Sequence, residues 1–209
     1  MRPVAFFCCL LTGVGLLPAS SASDTNKPVT VLMEFSGVRS TASLSALKSE
    51  LQAILSDSHI HLDLQLRSDL PEAAVAGDLV LFRMKGYCTM NALPVAALSD
   101  ERGPLAMTYS SDGELLPFGE VDCDRVRIVL QRTVGRSNPE AHQTEYGVAL
   151  ARVMAHEIYH MLAKSAMHTK EGLTKESLSS GELSRGALRL APAAQAAVQE
   201  RSSKGITFH

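Results

Sequence analysis

The chain has 209 residues, of which 45% are hydrophobic, 20% are charged and 5% are aromatic, and its formal net charge is −2. These values are close to the globular average, so they exclude a disordered, collagen-like or coiled-coil protein. The sequence has no Trp and no long basic run, which argues against nucleic acid or an anionic membrane as a partner. Once an N-terminal signal is removed, residues 24–209 have the right size for a single domain.

The N-terminus has the order of segments that a secretory signal peptide shows. Arg2 precedes an apolar run at residues 4–17, and Pro18 and a series of small residues at 19–23 follow it. A run of about 14 residues is shorter than the roughly 20 that a membrane-spanning helix needs. We therefore predict a signal peptide at residues 1–23, a secreted or periplasmic protein, and no stable membrane span after the signal is cleaved.

The mature chain keeps two of the four cysteines. Cys8 and Cys9 lie in the apolar run and leave with the signal, so Cys88 and Cys123 remain. An even pair of cysteines in an exported protein is most simply a disulfide. The pair has no CxxC spacing, which disfavours a metal-binding role. We predict a Cys88–Cys123 disulfide that closes a loop of about 35 residues.

Hydrophobic periodicity predicts strands and helices in a defined order along the mature chain. We expect the elements to be a strand at 29–35, a helix at 40–58, strands at 59–66 and 78–84, a hairpin or edge ribbon at 105–109 and 115–121, a strand at 125–132, and helices at 144–163 and 192–199. This order is typical of an α+β domain with about four to five strands. The long helix at 144–163 is expected to pack against the sheet.

The residues that can carry chemistry concentrate in that long helix. The run His156-Glu157-Ile158-Tyr159-His160 is an HExxH motif. Its two histidines are four residues apart, which places them about 40° apart around the helix and about 6 Å apart along it. Two imidazoles so placed can bind the same ion, and the carboxylate of Glu157 beside them can deprotonate a water molecule. The motif therefore indicates a hydrolytic metal site with Glu157 as the general base.

Residues 146–168 resemble the active-site helix and the third-ligand segment of the zincin metallopeptidases. The resemblance implies a Zn²⁺ cofactor that is bound by His156 and His160, with Glu157 as the general base of peptide hydrolysis. It also implies a zincin-like mixed sheet of about four to five strands, upstream of the helix. An edge strand of such a sheet lines the cleft and can pair with an extended peptide, so a peptide or protein is the expected substrate.

A hydrolytic zinc site needs a third protein ligand and one position that is open to water. His168 is the first candidate, and it can share an ion with His160 only if the helix ends within residues 163–167 and the chain turns back. The alternative is a glutamate from a downstream helix, as in the gluzincins, and three are available: Glu171, Glu176 and Glu182. We favour His168, since a neutral imidazole is a common third ligand.

The segment departs from the metzincin pattern HExxHxxGxxH. Ala163 stands at the glycine of that pattern and Ala166 at its third histidine, and no methionine follows His168 to form a Met-turn. The resemblance is therefore to a divergent, metzincin-like protein with a turn two residues longer, or to another zincin.

Two classes of function fit these residues. The first is an exported zinc-dependent metallopeptidase, in which Glu157 activates a water molecule against a peptide carbonyl. The second is a non-catalytic secreted or envelope binding module with a structural or vestigial zinc site. The fourth coordination position distinguishes them, because structural zinc sites are filled by the protein and catalytic sites keep a position for water.

Overall fold

The computed structural model describes residues 28–71, 79–91, 103–131 and 138–203. The predicted signal peptide at residues 1–23 lies outside these ranges. Within them, no helix combines the length and the apolarity that crossing a bilayer requires. In chain order the elements are β1 (Val29–Phe35), α1 (Thr41–Ser56), β2 (Leu62–Leu66), a 3₁₀ turn (Arg67–Asp69), β3 (Leu79–Lys85), β4 (Ala106–Ser111), β5 (Glu114–Asp122), α2 (Cys123–Gln131), α3 (Pro139–Ala163), α4 (Ser180–Ser184) and α5 (Pro192–Ser203).

The strands form a five-stranded mixed sheet in the order β2-β1-β3-β5-β4. Neighbouring strands are parallel from β2 to β5, and β4 runs antiparallel to β5 at one edge. Asp112 and Gly113, both at positive φ, make the tight turn between β4 and β5, which form the predicted hairpin. The predicted α+β class, with a mixed sheet of about four to five strands, is confirmed. β4 is an edge strand of this sheet.

The hydrophobic core lies between the sheet and the helices α1 and α3. Val31 of β1 pairs with Val80 of β3, and both side chains are fully buried in this core. Gly147 of α3 lets the two helices approach closely, because a Cβ there would lie 2.2 Å from the carbonyl oxygen of Ser43 in α1. α1 contributes an apolar stripe at helical spacing, made of Leu47, Leu51, Ile54 and Leu55.

One predicted element is wrong: the strand expected at residues 125–132 is helical as far as Gln131, in α2. Its β-branched residues favour a strand locally. The helix begins with a cap, because the side chain of Asp122 accepts a hydrogen bond from the N–H of Arg125 at 2.9 Å. Packing of a stripe at helical spacing then outweighs the β propensity, and the buried residues of that stripe are Cys123, Val126, Arg127 and Leu130.

Two elements also begin several residues away from their predicted starts. α3 begins at Pro139 rather than at residue 144, because Asn138 caps it by accepting a hydrogen bond from the N–H of Ala141 at 2.7 Å. Proline is accommodated in the first helical turn, where its missing N–H is not needed. β2 begins later than predicted, at Leu62, since His59 has a left-handed φ of 58°.

The predicted disulfide joins Cys88, which follows β3, to Cys123 at the start of α2. Both residues are buried. The hydroxyl of Tyr146 in α3 donates a hydrogen bond to the carbonyl oxygen of Cys123 at 2.7 Å. The disulfide therefore links the end of β3 to the start of α2, at a point that α3 also contacts.

We predict that replacing both cysteines by alanine lowers the free energy of unfolding by about 3–4 kcal/mol, since the cross-link restricts the unfolded chain. Urea unfolding of the oxidised parent and of C88A/C123A measures the difference. In the parent, alkylation should label the two cysteines only after unfolding and reduction. Equal unfolding midpoints for the two proteins would contradict the prediction.

Candidate metal centre

Helix α3 presents the three polar residues of the HExxH motif from a largely buried position. His156 and His160 are one turn apart, and their ring centroids are separated by 4.7 Å. Glu157 lies between them in sequence and is 8% exposed, whereas His156 is half-buried. The rigid helix therefore fixes the spacing of all three side chains.

A left-handed turn ends α3 and returns the chain to these residues. Lys164 has φ 49° and ψ 42°, and its N–H donates to the carbonyl oxygen of His160. Beyond the turn, the ring centroid of His168 lies 5.2 Å from that of His156 and 4.9 Å from that of His160. One ligand nitrogen from each ring lies within 4.8 Å of the other two. The three histidines thus form a cluster that could hold a metal ion.

Two main-chain carbonyls orient the histidines of α3. Nδ1 of His156 lies 3.0 Å from the carbonyl oxygen of Leu173, and Nδ1 of His160 lies 2.6 Å from that of Ser165. A carbonyl oxygen only accepts hydrogen bonds, so we assign the ring proton of each histidine to Nδ1. Each Nε2 then carries a lone pair, and it is the atom left free to bind a metal.

These two Nε2 atoms face each other at 3.0 Å. With both protons on Nδ1, neither Nε2 has a hydrogen to donate, so two lone pairs meet and repel. A tetrahedral zinc ion with bonds of about 2.0–2.1 Å holds two nitrogens about 3.3 Å apart. The donor atoms and their spacing therefore fit a metal ion between His156 and His160, with His168 as a third imidazole.

Burial keeps the two imidazoles of α3 neutral. It lowers the pKa of His156 to about 4, and it also lowers the pKa of His160. Both rings are therefore neutral at neutral pH, with the proton on Nδ1 and a lone pair on Nε2, which is the state that metal binding requires. His168 is exposed, so the cluster is accessible from that side.

The carboxylate of Glu157 is held by the edge strand of the sheet. The hydroxyl of Thr108 in β4 donates to Oε2 of Glu157 at 2.7 Å. Burial raises the pKa of Glu157, and the hydrogen bond from Thr108 acts in the opposite direction. A carboxylate with a raised pKa is a better proton acceptor, so this environment suits a general base.

The cluster lies in a cleft with a volume of about 540 Å³. Four parts of the chain line it: β4 with the residues before it, the start of β5, α3, and the segment that follows the turn after α3. The apolar lining includes Pro104, Leu105, Ala106, Leu115, Val153 and Leu178. The cleft therefore combines a polar centre with apolar walls, which is typical of ligand sites.

The three glutamates that are alternative ligands lie outside the cluster. Oε1 of Glu182 pairs with Lys175, and Oε2 accepts hydrogen bonds from the N–H and the hydroxyl of Ser179 at 3.0 and 2.7 Å. The bond from Lys175 and those from Ser179 lower the pKa of Glu182 to about 2. Glu171 and Glu176 are exposed, and neither belongs to the group of possible ligands, although Glu176 lines the cleft. The fold thus brings a third histidine, rather than a glutamate, to the HExxH pair.

Comparison with known proteins assigns no family to the chain. No protein-family model matches the sequence, and no curated protein matches it.

Two contributors to the centre are not among the residues that the sequence singled out: Thr108 and the carbonyl of Leu173. The carbonyl leaves no trace in a sequence, since every residue has one. The turn itself lies at Lys164 and Ser165, within the range 163–167 that a third ligand at His168 requires, although glycine or asparagine is more usual at a left-handed helix end. The glycine position of the metzincin pattern, Ala163, is here the last helical residue.

We predict that Lys164→Val destabilises the protein by about 1–2 kcal/mol more than Lys164→Gly does, because glycine adopts the left-handed conformation without steric cost. Both variants lose the hydrogen bond from Nζ of Lys164 to the carbonyl of Leu115. Their difference in unfolding free energy therefore isolates the backbone effect, and urea titration of both proteins measures it. Equal stabilities would mean that position 164 does not need this conformation.

Proposed function

We propose that this protein is an exported zinc-dependent metallopeptidase. The observation that carries the proposal is the convergence of three imidazoles, two of them with facing Nε2 lone pairs, beside a buried carboxylate. Three neutral imidazoles are a common ligand set for catalytic zinc, and they leave one coordination position open. We therefore assign zinc to His156, His160 and His168.

Bound at these residues, zinc would supply Lewis-acid chemistry that polarises the scissile carbonyl and makes water a stronger nucleophile. Glu157 accepts a proton from the attacking water and passes it to the nitrogen of the departing amine. The hydroxyl of Thr108 holds one carboxylate oxygen and so limits rotation of this base. The carbonyls of Leu173 and Ser165 keep the imidazole planes in position.

The edge strand favours a peptide as the substrate. β4 ends the sheet, so its outer main-chain groups pair with no other strand among the described residues. An extended peptide can add to such an edge through main-chain hydrogen bonds. Ala106 and Thr108 of β4 also line the cleft, so a peptide on this edge would run past the histidines.

The disulfide supports the exported location in this proposal. The Cys88–Cys123 bond is of the kind that persists in an oxidising compartment and is rare in the cytosol. The predicted signal peptide at residues 1–23 supports the same location. Secretion and periplasmic residence are both compatible with these two features.

The alternative is a non-catalytic binding module with a structural zinc. Structural zinc sites take four protein ligands. The described residues offer a group of three histidines, and His168 among them is exposed. A zinc ion held by these three histidines would keep its fourth coordination position for water, which favours the catalytic proposal.

We predict that the exported protein binds about one zinc per chain and loses it to a chelator. His156→Ala, His160→Ala and His168→Ala should each weaken zinc binding by at least about tenfold, because each removes a ligand. Elemental analysis gives the stoichiometry, and competition with a chromophoric chelator gives the affinities.

Two control variants sharpen this test. His61 is exposed just before β2, so His61→Ala removes an imidazole away from the cluster and should bind zinc like the parent. Glu182→Ala should also bind like the parent. If instead Glu182→Ala loses zinc while His168→Ala keeps it, the third ligand is a glutamate. A parent that takes up no zinc on loading would refute the centre.

We predict that Glu157→Gln keeps zinc and the fold but hydrolyses peptides at least about 10²-fold more slowly than the parent. Glutamine has the same shape and its amide oxygen can accept the bond from Thr108, but it cannot take a proton from water. A library of quenched fluorescent peptides measures the rates.

The zinc-depleted parent is the second reference in this assay, and its activity should return when zinc is added back. Cleavage by Glu157→Gln at the parental rate would show that another group is the base. A zinc-loaded parent that cleaves no peptide of the library would favour the binding module.

A further inference from the structure

One segment supplies the parts of the histidine cluster that α3 does not. Residues 164–175 carry His168, and the carbonyls of Ser165 and Leu173 in the same segment orient the two histidines of α3. The way in which this segment closes on itself therefore sets the relative positions of the third imidazole and the two carbonyls.

Two threonines close the segment. The N–H of Thr169 donates to the carbonyl of Thr174 at 2.9 Å, and the two side-chain oxygens are 2.6 Å apart. The hydroxyl of Thr169 also donates to the carbonyl of Glu171 at 2.7 Å. Because each hydroxyl has one proton, Thr174 must donate to Thr169 in the side-chain contact. We name this pair, Thr169 and Thr174, the threonine clasp.

The position of the clasp in the chain connects it to the cluster. Thr169 directly follows His168, and Thr174 directly follows Leu173, whose carbonyl orients His156. Thr174 is fully buried, so its hydroxyl depends on a protein partner, and Thr169 provides one. The clasp thus fixes the distance between the third imidazole and the carbonyl that orients the first.

We propose that the threonine clasp is a positioning device that preorganises the metal centre. The inference rests on the proposed function, because the property that it serves is zinc binding. With the clasp closed, His168 and the carbonyl of Leu173 are in place before the ion arrives. With the clasp open, the segment has to be ordered as the ion binds, and the cost of ordering lowers the affinity.

The test uses two substitutions of the buried threonine in the exported, metal-stripped protein. Thr174→Val removes the donor hydroxyl and keeps the shape of the side chain. We expect it to weaken zinc binding by about tenfold, which is the usual effect of removing a group that holds metal ligands in position. Thr174→Ser keeps the hydroxyl and should bind zinc as tightly as the parent. Competition with a chromophoric chelator measures the dissociation constants.

Cobalt substitution gives a second readout, which a purely structural role of the clasp would not change. The visible absorption of bound Co²⁺ reports the geometry of its ligands. We expect the band of Thr174→Val to differ from that of the parent and the band of Thr174→Ser to match it. Neither measurement requires a peptide substrate.

Thr144→Val is the matched control, because Thr144 is exposed on α3 and its hydroxyl donates to the carbonyl of Glu140 in the same helix. It should leave the zinc affinity and the cobalt spectrum unchanged. If Thr174→Val does not fold, Thr169→Val, at the partly exposed end of the clasp, takes its place with the same expected results.

The outcomes separate this inference from the function on which it rests. Parental zinc affinity and a parental cobalt spectrum in the clasp variant would overturn the clasp and leave the zinc site intact. A parent that binds no zinc would overturn both proposals. Zinc binding that is about tenfold weaker in Thr174→Val and parental in Thr174→Ser would support the proposal.

Discussion

The candidate metal centre depends on one constraint, which is that two backbone carbonyls turn the lone pairs of His156 and His160 toward each other. With the Nδ1 protons committed to Leu173 and Ser165, the two Nε2 atoms meet at 3.0 Å without a hydrogen between them. Rotating either ring would relieve the repulsion but would break a hydrogen bond of about 1 kcal/mol or more. A cation between the rings removes the repulsion and keeps both bonds. These two histidines and their two carbonyl partners therefore already favour a bound cation, without a contribution from other residues.

The rest of the fold holds the carbonyl of Leu173 in place. Leu173 is supported by the C-terminal part of the chain, since its N–H donates to the carbonyl of Arg189 at 2.9 Å. That part of the chain is in turn fixed to α3 by Arg152, which lies one turn before His156 and is 2% exposed. A planar guanidinium can serve several acceptors at once. Its acceptors here include the carbonyls of Glu182, Arg185 and Gly186.

Sequence reasoning succeeds here where the determining contacts are local. The spacing of His156 and His160 follows from one helical turn. The strands and the hairpin follow from short apolar runs and a turn signal. Thr108 reaches Glu157 across 49 residues, and the carbonyl of Leu173 reaches His156 across 17, so no short pattern contains either contact. The wrong strand at α2 has the same cause, because its helix depends on packing that local β propensity does not report.

Under the proposed function, β4 joins substrate binding to the general base. Its outer edge pairs with no other strand in the part of the chain that the structure describes, so an extended peptide can add there, while the side chain of Thr108 holds Glu157. Thr108 pairs in register with Gly119 of β5, and the register shift of the hairpin comes only after it, before Ser110. The base is therefore held by the regular part of the strand, and sites built on such elements keep their geometry better than sites on loops. A peptide that pairs with this edge is thereby placed relative to the carboxylate by one strand, with no loop between the two.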